Sequence, residues 1–427
     1  LRINNLESKN NCELMKDDYM ELHLIKRNYR NKKIFIILLT SLFIFSQELR
    51  EGLLGNTFAT INVLSLFSVS LLILNNFNEL NKLKFTLFYV AIIIYIFTAS
   101  LYEDSLFTII KCIIAFIFPL ILIIQEVNNN SFENIFKLTI LTLNTVIIII
   151  TIIGICEIIF GIKINNYISI FMSPRTQEQI IANSMSDEAK RLYSFMGHPL
   201  FNTELYLMFL VLNILYNKYL QQRKSPVWIL VVPTIGLAFT GSKTGFVLLC
   251  VSVLLLFKSS NIINKILLIM FGLIIALKIG LFNTLIYRFT TGSLTSGRSE
   301  KWIEITSMNI FPIKFFTGYG NGFTFILNSY VDWASAAFEY PIRMFSLEMG
   351  IIMTIMIYLF IMVIPIIILM KRGHWDLLLS YLIVFADINT FNGIAILGDK
   401  MMILSLFIFL ILNLSKLIYM KDDIKEV

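Results

Sequence analysis

The sequence predicts an all-α, polytopic integral membrane protein, and three observations carry that prediction. Of 427 residues, 57% are hydrophobic and only 15% are charged, against about 25% charged in an average soluble domain. Mean hydropathy is +0.77, and runs such as Thr145–Ile155 and Ile351–Met370 offer water almost nothing. Lys and Arg recur in alternate short loops between the apolar runs, the pattern that fixes topology in a bilayer. Soluble enzyme classes are excluded. So is a nucleic-acid partner, because no basic face interleaved with stacking aromatics lies outside the apolar runs.

A bilayer core is crossed by roughly 20 apolar helical residues. Taken in order, the runs 34–53, 57–74, 83–101, 105–125, 134–160, 203–221, 226–240, 243–257, 263–281, 343–370, 376–397 and 400–419 predict about twelve transmembrane helices, the seventh and eighth being short. A polar, basic tail over 1–33 precedes them, which argues against a cleavable signal peptide. A short tail over 420–427 follows the spanning domain of 34–419.

The first tail carries Lys26, Arg27, Arg30, Lys32 and Lys33. Alternate loops then carry Lys82 and Lys84, Lys137, Lys218 with Arg223 and Lys224, Lys258 with Lys265, and Lys371 with Arg372. The loops around Glu48, Glu103–Asp104 and Asp399 are poor in basic residues. Both termini are therefore expected on the cytoplasmic side. The two long loops, about 161–202 and about 282–342, then both fall on the outer face. Such asymmetry suits an enzyme acting on exported material better than a transporter.

The cysteines are scattered, with Cys12 in the tail and Cys112, Cys156 and Cys250 in apolar runs, so neither a disulfide framework nor a metal site is suggested. The three histidines, His23, His198 and His374, have no metal-ligand spacing. No cofactor is expected. Thr240-Gly-Ser-Lys-Thr-Gly245 resembles a phosphate loop but lacks the leading glycine and the four-residue gap. Asp387, Lys111 and Lys278 are ionisable residues inside apolar runs and are functional candidates on that ground alone.

The second long loop is the richest in chemistry. Its small and hydroxyl residues over 290–297 suit a flexible stretch ending in a helix cap at Ser296 or nearby. Trp302, Ile303, Ile305 and Ile310 then suit an amphipathic helix lying on the membrane. Arg298 would project from that helix's first turn, either as a phosphate receptor beside helix-start amides or as an anchor to lipid headgroups. In the first long loop, Lys190 and Arg191 place positive charge at the membrane entrance, and Gly197 with Pro199 marks a turn into the sixth span. His198, a lone histidine, reads first as structural. Glu339 reads either as a base beside an acceptor hydroxyl or as a loop carboxylate paired with Arg343.

Five segments in order resemble the O-antigen ligase and Wzy-type polymerase superfamily of bacterial envelope glycosyltransferases. They are Arg191 followed by Ser194-Phe-Met-Gly-His-Pro199, Thr240-Gly-Ser-Lys-Thr-Gly245, Ser296-Gly-Arg-Ser-Glu-Lys-Trp302, Gly318-Tyr-Gly-Asn-Gly322 and Leu347-Glu-Met-Gly-Ile-Ile352. The resemblance covers about 134 to about 397 and implies a donor glycan carried on undecaprenyl pyrophosphate. It gives Arg191 and Arg298 the task of holding the pyrophosphate, without a metal. Glu339 follows as the expected base, and Lys190, His198, Lys243, Arg288 and Arg343 as substrate-binding residues.

Ligases of the superfamily carry His-Asn nine residues before the glutamate of their Glu-x-Gly motif; counting back from Glu348, this chain has Glu339-Tyr340. Lys243 stands where an Arg is common. The missing His favours a polymerase of capsular, O-antigen or exopolysaccharide repeat units over a ligase, and the concentration of charge in the outer loops disfavours a lipid-linked oligosaccharide flippase. The expected place is the bacterial cytoplasmic membrane. The expected partners are lipid-linked glycans, membrane lipids, and the chain-length regulator and flippase of the same pathway.

Overall fold

The computed structural model describes residues 25–102, 105–160, 163–185, 191–256, 283–291 and 297–426. The described residues are helical and contain no strand. Among the described residues, seven helices are long and apolar enough to cross a membrane: Asn56–Asn75, Lys82–Ser100, Leu106–Ile124, Asn129–Glu157, Pro199–Leu220, Ile351–Lys371 and Lys400–Lys421. Trp228–Thr240 and Lys243–Leu255 are apolar but shorter. The expected ninth span, 263–281, lies outside the described residues.

Burial sorts these helices. Pro199–Leu220 and Lys400–Lys421 are 89% and 94% buried over their apolar windows, whereas Lys82–Ser100 is only 28% buried. The first two therefore form the centre of the bundle. Lys82–Ser100 turns apolar residues such as Ile93 and Phe97 outward, the arrangement expected of a helix facing lipid.

Three expected spans are divided, each for a local reason. The chain is helical from 25 through 44, across the expected tail boundary at 33, and breaks at 45–46. Ser46 then caps a separate helix, Gln47–Leu54, by accepting from the Leu49 N–H. Arg50 on that helix is 4% exposed. It pairs with Asp399 at 2.7 Å and donates to the carbonyls of Ser41, Phe45 and Phe58, so 34–53 is the end of one helix followed by a second, pinned and polar helix. The expected 343–370 span is cut at Gly350, whose φ of +86° only glycine adopts readily, into Pro341–Met349 and Ile351–Lys371. The expected 376–397 span ends as an α-helix at Ile388 and continues as a 3-10 turn over Asn392–Ala395.

The loops segregate to the two ends of the bundle as the basic pattern separates them. At one end, Arg27 meets Glu79, Lys416 meets Glu126, Lys421 meets Glu133, and buried Asn31 bonds Asn76 and Ser131. The opposite end gathers the Gln47–Leu54 helix, the chain around 191–200, the turn at Gly241, and the long loop over 283–291 and 297–340. That end holds the site.

Candidate functional site

A cavity of about 750 Å³ opens at this end, and five segments distant in sequence line it. Arg191, Gly197 and His198 come from the first long loop, Arg288, Arg298 and Glu339 from the second, and Glu48 and Glu51 from the Gln47–Leu54 helix. Arg175 and Thr176 come from the Pro174–Met185 helix, and Lys400 from the start of the last helix. Arg191, Arg298, Glu339, His198 and Arg288 all line it. Lys243 and Arg343 do not, and Lys190 lies outside the described residues.

The turn after the Trp228–Thr240 helix builds the cationic wall. Gly241 ends that helix in a left-handed conformation, and Ser242 caps the next by accepting from the Gly245 N–H. The last carbonyls of the first helix are thereby left facing outward at its negative end. Arg191 Nε donates to the Thr240 carbonyl at 2.8 Å, and Arg288 Nη1 donates to the Gly241 carbonyl at 2.6 Å. The segment that resembles a phosphate loop thus orients two arginines through its carbonyls. Lys243 stands clear of the cavity with its ammonium 5.5 Å from the Phe289 ring.

Arg191 is fixed from its backbone as well. Asn183 pairs with both its N–H and its carbonyl. Buried Asn202 holds the next turn by donating to the carbonyls of Leu192 and Tyr193 and accepting from Ser194. With Nε committed, Arg191 Nη2 is buried without a hydrogen-bond partner among the described residues. Burial, then the nearby Arg288, push this guanidinium down to about 9, so it is a cation at neutral pH in want of an anion. Burial, followed by Arg298, also lowers Arg288.

Arg298 opens the Arg298–Met308 helix, whose cap is Gly297 in the left-handed region without a side-chain bond; Ser296 lies outside the described residues. Trp302 packs edge-on against Phe338 and Ile305 is buried, while Ile303 and Ile310 are 65% and 58% exposed. The expected single apolar face is therefore split between the protein and the surroundings. Arg298 forms an ion pair with Glu339, and its Nε is buried without a partner among the described residues. Arg343 is not the partner of Glu339. Its guanidinium lies 4.8 Å from the Trp302 ring and 4.6 Å from the Tyr340 ring, and it donates to the carbonyls of Arg298 and Ala337. It holds Arg298 from behind.

His198 stacks on Phe391 at 4.6 Å and accepts from the Leu200 N–H through Nδ1. Burial, then Arg191 and Lys400, hold it well below the usual histidine range. It is a neutral ring whose proton sits on Nε2, a donor.

Sequence reading missed four further residues that line the cavity: Glu48, Glu51, Arg175 and Lys400. Glu48 accepts from the Thr176 hydroxyl at 2.8 Å. Burial, then Glu48, raise Glu51 above the ordinary carboxylate range. Lys400 is 8% exposed, with its ammonium 5.4 Å from the Phe201 ring. The signal for Glu48 and Glu51 was a pair of carboxylates one helical turn apart in a run otherwise read as apolar.

The two remaining motifs meet each other behind the site. Tyr319 and Gly320 N–H groups donate to the Leu347 and Glu348 carbonyls, and a Cβ at Gly318 would stand 1.7 Å from the Glu348 carbonyl oxygen. The Glu348 carboxylate accepts from both the N–H and the hydroxyl of Thr324, capping the short Phe323–Ile326 helix. This glutamate is structural. Among the described residues, no group of three or more His, Cys, Asp and Glu side chains is placed to hold a metal ion. The chain matches no family model, no curated protein and no solved structure.

Proposed function

We propose that this protein is a polymerase of bacterial surface polysaccharide, working on glycans linked to undecaprenyl pyrophosphate at the outer face of the cytoplasmic membrane. About twelve spans, with both termini cytoplasmic, belong to the same reading. The observation that carries it is the convergence of Arg191, Arg288 and Arg298 on one cavity, with guanidinium N–H groups of Arg191 and Arg298 buried and unpaired among the described residues. Buried donors without partners are rare and costly, so they mark a place where an acceptor binds. A diphosphate supplies such acceptors, and arginine binds it by paired, charge-assisted hydrogen bonds.

The chemistry follows. A hydroxyl of one lipid-linked repeat unit attacks the anomeric carbon of another glycan. The bond from that carbon to the pyrophosphate oxygen breaks, and negative charge grows on the departing diphosphate. Three fixed cations in a partly enclosed cavity stabilise that charge more than they stabilise the intact donor. The neutral His198 ring offers a further donor on the same side.

The test is reconstitution with a synthetic lipid-linked repeat unit. A ladder of oligomers is expected. One new product on a foreign acceptor would make the protein a ligase, and lipid translocation without product would make it a flippase.

A further inference from the structure

Glycosyl transfer needs a group to take the proton of the attacking hydroxyl, and that group must be able to accept it. Three carboxylates line the cavity: Glu48, Glu51 and Glu339. Glu339 is engaged by Arg298, so its carboxylate is already occupied by a cation. It also stands among the arginines, where the diphosphate is to sit. Glu48 already accepts a hydrogen bond from Thr176, and its methylene chain is packed against Gly197, where an added Cβ would come within 2.3 Å of Glu48 Cγ. Glu51, one turn along the same helix, makes no hydrogen bond or ion pair through its carboxylate among the described residues.

We propose that Glu51, which lines the same cavity as the arginines, is the catalytic base of the acceptor site. This rests on the polymerase reading above and places the acceptor sugar between the Gln47–Leu54 helix and the diphosphate. In the step, the acceptor oxygen forms its bond to the anomeric carbon while its proton passes to the Glu51 carboxylate. The electron pair of the broken carbon–oxygen bond leaves on undecaprenyl pyrophosphate. Glu51 returns its proton to water before the next cycle.

The surroundings suit the task. Its own helix contributes Glu48, which disfavours a second charge nearby; Arg175 faces it from the Pro174–Met185 helix and Lys400 from the last helix, and both favour the charged form. The outcome is a carboxyl held above its ordinary range, mainly by burial, which makes it a stronger base than a solvent-exposed glutamate. The helix itself is immobilised by the buried Arg50–Asp399 pair and by Gln47, which donates to the Leu397 carbonyl and accepts from the Asp399 N–H.

The experiment compares Glu51→Gln, Glu51→Asp and Glu339→Gln in the full-length protein with the synthetic lipid-linked repeat unit. Donor binding and elongation rate are read separately across pH. In wild type, elongation falls on the acid side as Glu51 takes up its proton. Glu51→Gln is expected to bind donor normally, to lose about 10²–10⁴-fold in elongation, and to lose the acid limb. Glu51→Asp keeps that limb at a reduced rate, and Glu339→Gln keeps it too.

Wild-type elongation by Glu51→Gln, or transfer of the limb's loss to Glu339→Gln, overturns the assignment while leaving the polymerase reading intact. Loss of donor binding together with turnover in both Glu51 variants makes the residue structural and also overturns it. If wild type forms no oligomer from the repeat unit, the polymerase reading fails and the base assignment falls with it.

Discussion

Arg191 does two jobs with one side chain. Its Nε is spent on the Thr240 carbonyl, and its Nη2 is kept for something else. Lysine at this position keeps the charge but has neither the fork nor the second donor direction. Arg191→Ala and Arg298→Ala are each expected to lower the polymerisation rate about 10²–10³-fold, and the corresponding lysine variants to recover little of it, as measured by oligomer yield at matched protein level. Lys301→Ala is the control, since Lys301 pairs with Glu304 on the outer side of the same helix. If it is as damaging as Arg298→Ala, bulk loop charge explains the effect. If the arginines carry the counter-charge, as proposed, turnover is expected to persist in EDTA. A chelator-sensitive enzyme restored by Mg²⁺ would show that they do not act alone.

Residue-scale legibility followed a simple division. Arg191, Arg288, Arg298, His198 and Glu339 were readable because they are polar residues in the two long loops of an otherwise apolar chain. Arg343 follows directly on the second of these loops, in the Pro341–Met349 helix, and yet serves as a stacking support between Trp302 and Tyr340, which no spacing reveals. Glu51 and Lys400 escaped because each lies at the edge of an apolar run and is averaged into a span.

At the scale of elements, the recurring device is a helix end that turns polar backbone toward the site. The Trp228–Thr240 helix offers its final carbonyls to two arginines, and its glycine stop was visible in Thr240-Gly-Ser-Lys-Thr-Gly245 even though its use was not. Gly318 and Glu348 act as a clasp between two segments thirty residues apart. Gly318→Ala is expected to force them apart, since the added methyl meets backbone that cannot step aside; it should lower both thermal stability and elongation.

The Gln47–Leu54 helix depends on a different fastening. Removing one partner of a buried ion pair costs about 3–5 kcal/mol, so Asp399→Ala is expected to reduce thermal stability in detergent sharply. A shift no larger than that of a surface control such as Glu304→Ala would show that the pair is not what secures the helix. That 34–53 is two elements was hidden because a hydropathy window registers apolar content, not the Ser46 cap or the partner that Arg50 finds 349 positions later.

For the whole molecule, the alternation of basic loops anticipated which segments share an end of the bundle, and the ion pairs at one end and the cavity at the other agree with it. Orientation is a separate matter, and labelling addresses it. A cysteine replacing exposed Ser329, on the cavity side, should react with an impermeant thiol reagent on intact cells, and one replacing exposed Gln222 should not. Reaction at 222 alone would invert the topology. Span number was less legible than sidedness, because Gly350 and the break after Ile388 interrupt runs that composition alone joins.

The Glu339–Arg298 pair gives the resting cavity an anion of its own. On the proposed function, a lipid diphosphate arriving there would not fill a vacancy; it would trade places with a tethered competitor whose effective concentration never falls. Binding free energy would then be a difference between two anions for one guanidinium, and the same competitor would speed the departure of the spent carrier lipid after each transfer. Glu339→Gln should therefore hold both donor and spent lipid more tightly and release the latter more slowly. A rapid first transfer followed by a slower steady rate would be its kinetic mark. If the protein sheds a long-chain lipid diphosphate on every cycle, as proposed, it would benefit from a grip that is contested from within.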